Sequence, residues 1–150
     1  MIREAIPEDA SQIYDAIKNT RYEGFERSMP HVNCKDTIAS ILDRIHSANS
    51  IVAVGLIDNR VEGCVVATIY PYFFNLDVMI GAIQLWNVTE RCGACTLPVR
   101  MLRYTIDMCK QKGAQYIESA FVLGHSPKSV ERIYKKLGMK QIETIYRMEV

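Results

Sequence analysis

"VTERCGACTLPVRMLRY", residues 88–104, joins an apolar strand-like run to a helical one, and its reading decides the fold. Three chemistries suit it. Cys92 and Cys95 form a CxxC, and a thiolate at a helix N-terminus is stabilised by orphan N–H groups, as a redox centre requires. The same pair is half of a zinc site. The small residues around Gly93 and Thr96 suit a loop whose amides cradle a phosphate ahead of a helix.

The flanks separate these readings. Upstream, "SIVAVGLI" (50–57) and "VEGCVVATIY" (61–70) enclose Asp58-Asn59-Arg60, which predicts a β-hairpin. "PYFFNLD" (71–77) reads as a loop and "VMIGAIQLWNV" (78–88) as a third strand in series. Gly81 inside that strand predicts a bulge or a close backbone approach. Downstream, Pro98 fits the first turn of a helix running to Gly113, with Val99, Leu102, Ile106 and Cys109 or Met108 on one face. "AQYIESAFVL" (114–123) is a strand, "SPKSVERIYKKLG" (126–138) a helix and "KQIETIYRMEV" (140–150) a last strand.

At the other end, "MIREAI" is a short strand. Pro7-Glu8-Asp9 opens an amphipathic helix bearing Ala10, Ile13, Tyr14 and Ile17. Residues 20–35 are aromatic, polar and aperiodic, a loop or broken short helix. A second helix follows over 36–48, with Asp36 as its N-cap and Ile38, Ile41, Leu42 and Ile45 on its apolar face. The order is β-α-α-β-β-β-α-β-α-β. It implies an α+β (mixed α/β) fold, a mixed sheet with helices on both faces, in one domain over 1–150.

A thioredoxin-like chain carries its CxxC after an early strand and a βαβ unit, whereas here a hairpin meander precedes it. A closed zinc site needs four ligands. No second CxxC or H-x₃₋₅-H follows, and Cys34, Cys109, His31, His46 and His125 stand singly. The phosphate-loop reading is left in front, and metal is not expected.

The element order, the opening "IREAIPEDASQIYDAI" and the ending "SVERIYKKLGMKQIETIYRMEV" resemble the GCN5-related N-acetyltransferase (GNAT) superfamily over essentially the whole chain. That family's cofactor loop reads roughly V-x-P-x-x-R-G-x-G-x-G/A. Counting forward from Val88 and back from Gly113 both place its last small residue at Pro98. Here Gly93 stands at the Arg or Gln position, and Thr96 and Pro98 each replace a glycine. Pro98 also removes a backbone donor.

The resemblance implies CoA-dependent N-acyl transfer, acetyl from acetyl-CoA, to an amine acceptor on a small molecule or a protein. It implies that the cofactor is held by Trp86, Asn87 and Val88, by Arg91, by Gly93, Ala94, Cys95, Thr96 and Leu97, and by Ser129 on the later helix. Ser126 reads as that helix's N-cap. Tyr134 is the implied acid for the leaving thiolate. The central strand carries no carboxylate after Asp77, so a solvent chain, Asp77 or Glu118 remains as the route for the amine proton. The aromatic stretches 21–25 and 70–74 correspond to acceptor-site walls, or else to lid packing or a homodimer contact. A GNAT-like scaffold that has lost its glycines and base, kept as a binding or structural module, is the alternative function. A CxxC thiol redox protein is the third.

Composition bounds these readings. The 150 residues are 49% apolar and 23% charged, with a net charge of +1. Such a chain buries roughly 70% of its unfolded surface without staples. The near-zero charge argues against nucleic acid. No apolar run is long enough for a bilayer, the start lacks an export signal, and five unframed cysteines suit a reducing cytoplasm.

Overall fold

The computed structural model describes residues 1–19, 33–92, 96–120, 127–142 and 148. Among these residues five strands form one sheet in the order β1-β2-β3-β4-β5: β1 (Ile2–Glu4), β2 (Ser50–Ile57), β3 (Arg60–Tyr72), β4 (Asn75–Val88) and β5 (Tyr116–Ser119). β1 to β4 pair antiparallel, and β4 to β5 pair parallel. The described helices are α1 (Ala10–Lys18), α2 (Cys34–His46), α3 (Leu97–Gln111) and α4 (Pro127–Lys136).

The continuous apolar runs of β2 and β3 follow from their central place. Both faces of these strands are covered, so Ile51–Leu56 and Val61–Ala67 are all buried. On one face α1 and α2 pack Ala10, Ile13, Ala16 and Ile41 against Val52, Val54, Cys64 and Val66. On the other, α3 and α4 pack Met101, Leu102, Cys109 and Tyr134 against Ala53, Val65, Ala67 and Ile83.

The hairpin turns on Asp58 and Asn59, whose φ values of 48° and 63° give the left-handed pair that matches the twist of its strands. Gly113 and Gly138, at φ 91° and 79°, end α3 and α4 in a conformation other residues adopt at a cost. Gly81 makes a close approach: a Cβ there would lie 3.0 Å from Cys109 Sγ.

Several details depart from expectation. Residues 71–77 are not a loop. Tyr72 pairs with Asn75, so β3 and β4 run on to a two-residue tip at Phe73 and Phe74. Alternating aromatic residues extend the strands, and Pro71 is tolerated because the register shifts beside it. The N-cap of α2 is Asn33, not Asp36. The Asn33 Oδ1 accepts from Asp36 N at 3.2 Å, and Asp36 lies in the first turn, where an acid complements the helix dipole. The fully buried stripe of α3 is Leu97, Met101, Leu102, Thr105 and Cys109, with Val99 and Ile106 only half-buried. Most of the 20–35 segment and, past Ile142, all of the last expected strand but Met148 lie outside the described residues.

Candidate active site

The site begins where the sheet comes apart. β4 and β5 pair from Ile80 with Tyr116 to Ile83 with Ser119. β4 then continues to Val88, and among the described residues no strand pairs with it on that side. The parting coincides with a bulge. Val66 opposes Leu85 and Ala67 opposes Ile83, so Gln84 is the extra residue. It reverses the alternation. Gln84 and Leu85 both face α1 and α2, while Ile83 and Trp86 face α3 and α4.

On the α3/α4 face, α4 brings Tyr134 to the end of β5. Its hydroxyl lies 2.7 Å from Ser119 Oγ and donates to the Ala120 carbonyl at 3.3 Å. Tyr134 is 9% exposed, and burial raises its pKa above the ordinary phenol value, against a smaller lowering by the Ser119 hydrogen bond. The phenol therefore holds its proton at neutral pH. Trp86 lies beside it, ring centroids 6.1 Å apart, and its Nε1 donates to Pro98 O at 3.1 Å. That bond fastens the start of α3 to the end of β4.

Thr96 occupies the N-cap of α3 but makes no side-chain cap bond. The first-turn amides are thus left uncapped by the side chain, and Pro98 contributes none. Leu97 is turned inward and is 5% exposed. Val88 is half-buried and packs into the same core. Asn87 points the other way, its Nδ2 donating to Ala16 O at 3.0 Å, so only its backbone is on the α3 side of the strand. Arg91 pairs with Glu62, Nη1 to Oε1 3.1 Å. Ser129 is exposed on the first turn of α4. Gly93, Ala94, Cys95 and Ser126 lie outside the described residues. Cys92 is 3% exposed, its Sγ 4.0 Å from Glu62 O, a core position rather than an accessible thiol.

Sequence reasoning missed Glu62. A second bulge places it: Gly55 opposes Gly63 and Leu56 opposes Val61, leaving Glu62 over. It is 4% exposed, accepts a short hydrogen bond from Thr89 Oγ1 and takes the ion pair with Arg91. The carboxylate thus anchors the turn that leads into the loop. A Glu between Val61 and Gly63 in an apolar run was the available signal.

On the opposite face, the parting is lined by polar groups. Glu118 projects there from β5, its Oε2 accepting from Tyr70 OH at 3.2 Å. Glu118 and Ser119 are consecutive, so a carboxylate and the Tyr134 hydroxyl flank the end of β5 from its two sides. Arg44 of α2 donates to Thr68 Oγ1 at 2.9 Å and to Gln84 Oε1 at 2.5 Å. Asp77, near the far end of β4, is exposed, and its backbone N–H bonds Asn75 Oδ1. Among the described residues no group of three or more His, Cys, Asp or Glu is placed to hold a metal ion, and no helix is long and apolar enough to cross a membrane.

Neither a family model nor a curated protein matches the sequence. Solved structures do match the fold. A transcriptional regulator from Bacillus halodurans C-125 superposes with a TM-score of 0.81 at 17% identity, covering 100% of this chain and 99% of that one. An acetyltransferase of Trypanosoma brucei gives 0.73 at 19% identity, again with 100% and 99% covered. A predicted acetyltransferase with acetyl-CoA from Clostridium acetobutylicum gives 0.75 at 16% identity, with 99% and 95% covered. The fold is that of the GNAT acetyltransferases over the full length of the chain.

Proposed function

We propose that this chain is a CoA-dependent N-acyltransferase that acetylates an amine. The observation that carries the proposal is Tyr134, a protonated phenol held at the point where β4 and β5 part, with a carboxylate on the neighbouring residue's opposite side. The fold it shares with a structure solved with acetyl-CoA supports the same reading.

Acetyl-CoA, when bound, supplies an activated acyl thioester. The residues fit such a group at the uncapped first turn of α3, where the Leu97 and Val99 amides favour a pyrophosphate. The backbone of Trp86, Asn87 and Val88 runs beside the opening, and a strand N–H there suits polarisation of the thioester carbonyl. Arg91, the segment 93–96 and Ser129 complete the proposed contact. Glu118 receives the proton given up by the attacking amine, and Tyr134 gives one to the departing thiolate on the other face. Much of the rate comes from holding the two reactants at the opening. The amine acceptor, a cytoplasmic location and a homodimer contact through the exposed Phe73–Phe74 tip belong to the same proposal.

Pro98 favours a second reading, since it removes one of the few donors the loop has: a GNAT-like binding module without turnover. Thermal unfolding with and without acetyl-CoA separates the two. Ligand at about 100 times its Kd adds roughly 2.7 kcal/mol. That is a rise of several degrees, at roughly 2–4 °C per kcal/mol. No shift at millimolar acetyl-CoA selects the binding module.

A further inference from the structure

Arg3 and Arg44 are the two half-buried arginines among the described residues, and the other described arginines are exposed. Arg3 is neutralised by Asp9 at 2.6 Å. Arg44 has no carboxylate partner among the described residues. Its Nη1 is shared between two neutral oxygens, Thr68 Oγ1 and Gln84 Oε1. A guanidinium has five N–H donors and a full positive charge, and the described residues meet few of those donors and none of that charge. The guanidinium is half-exposed, so its remaining donors are open to a ligand as well as to water.

The place of this charge gives it meaning. Gln84 is the bulge residue at which β4 leaves β5, and Thr68 Oγ1 also bonds its Oε1 at 3.1 Å. The guanidinium is therefore fixed at the rim of the opening, on the face where Glu118 stands. One rim thus carries a fixed cation and a carboxylate on separate strands and helices, with Gln84 at the point where the strands part.

Resting on the acyltransferase reading above, we infer that the acceptor is a small amine that also carries a carboxylate. Its ammonium goes to Glu118 and its carboxylate to the free donors of Arg44. Arg44 is then a specificity-determining residue as well as a tie between α2 and the sheet. An arginine suits this task because its planar fork matches a carboxylate with two parallel hydrogen bonds.

The test uses pairs of amines that differ only in that group: amino acids, α and ω, each against its own carboxamide, at saturating acetyl-CoA, with release of the CoA thiol as the readout. The acid of at least one pair is turned over roughly tenfold or more faster in kcat/KM than its amide, the scale of one charge-assisted interaction. Arg44→Gln raises KM for that acid about tenfold, leaves kcat within about twofold and leaves the amide unchanged. Arg44→Lys restores part of the loss. Amides equal to or better than acids in every pair, or an R44Q effect that is the same for both members, overturns the inference. If no pair turns over, the Arg44 Nε–H resonance is titrated with the same compounds. A shift with acids and not with amides upholds the inference, and no shift with either overturns it. Failure of the acyltransferase reading shows separately, as no acetyl-CoA consumption with any amine and no thermal shift.

Discussion

Gly55 and Gly63 stand directly opposite each other on β2 and β3, and Met101 of α3 rests on both. A Cβ at Gly55 would lie 2.5 Å from the Met101 sulfur. One at Gly63 would lie 2.9 Å from the Asn87 carbonyl oxygen. The glycines let α3 sit low on the sheet beside the end of β4. The two sites differ in what resists a methyl group: a flexible thioether end at Gly55, backbone at Gly63. Gly63→Ala is expected to cost about 1–3 kcal/mol. Gly55→Ala is expected to cost less, because the Met101 end can move. Denaturant midpoints at constant slope check the order, and equal costs would contradict it.

Glu62 holds Thr89 and Arg91 from a buried position. Glu62→Gln keeps the shape but removes the charge facing Arg91. Its expected signature is acetyl-CoA affinity weakened several-fold with kcat little changed, since the group positions the loop and touches no reacting atom. Glu62→Ala leaves the Thr89 hydroxyl without its acceptor and is expected to cost about 1–3 kcal/mol. Titration of acetyl-CoA by fluorescence and a melting curve read the two effects separately.

Tyr134→Phe removes the hydroxyl that Ser119 and Ala120 hold, and retains the ring that packs on Trp86. Turnover should fall about 10²–10⁴-fold, the range of a general acid, with acetyl-CoA binding retained. Burial raises the phenol pKa above 10.0, so an alkaline limb caused by Tyr134 lies above pH 10. A limb near pH 8 that persists in the Phe variant belongs to another group. Full turnover by Y134F excludes Tyr134 as the acid.

Asp9 accepts both Nη groups of Arg3, at 2.6 and 3.0 Å, and the Ile6 N–H at 2.9 Å. The Arg3 hydrogen bonds are the main reason its carboxyl titrates below the ordinary value of 3.8. A depressed folded-state pKa gives stability that is complete above the unfolded value and is lost as pH falls through the folded one. Asp9→Asn should therefore be destabilising at pH 7, and the difference from the native chain should shrink below about pH 4. A difference that stays constant from pH 7 to pH 3 would remove the ion pair as its cause.

Periodicity made the helices and the β2–β3 turn legible, because each is a local pattern with local punctuation. Asp58-Asn59, Pro98, Gly113 and Gly138 all do in the structure what their chemistry suggests. The resemblance of the chain ends to GNAT proteins gave the fold that the solved structures share. The bulges were not legible. Nothing local in "AIQLWNV" says that Gln84 is supernumerary, since that depends on where β3 stands. The same cause hid Glu62 and turned Asn87 toward Ala16. Gly81 fared better because a glycine in an apolar strand is a signal by itself. Asp36 competed with Asn33 for one cap, and the residue three positions earlier reaches the Asp36 amide.

The extra residue at Gln84 also sets a parity. From Leu85 onward, every side chain of β4 lies on the face opposite to the one a regular ladder would give it. Deleting Gln84 would let the β3–β4 ladder run unbroken. Leu85 would still oppose Val66 and Trp86 would still oppose Val65, each on its present face, and only the oxygen shared by Arg44 and Thr68 would be gone. The flanking pairs thus hold the lining of the opening, and the surplus residue adds a polar point to its rim where the strands part.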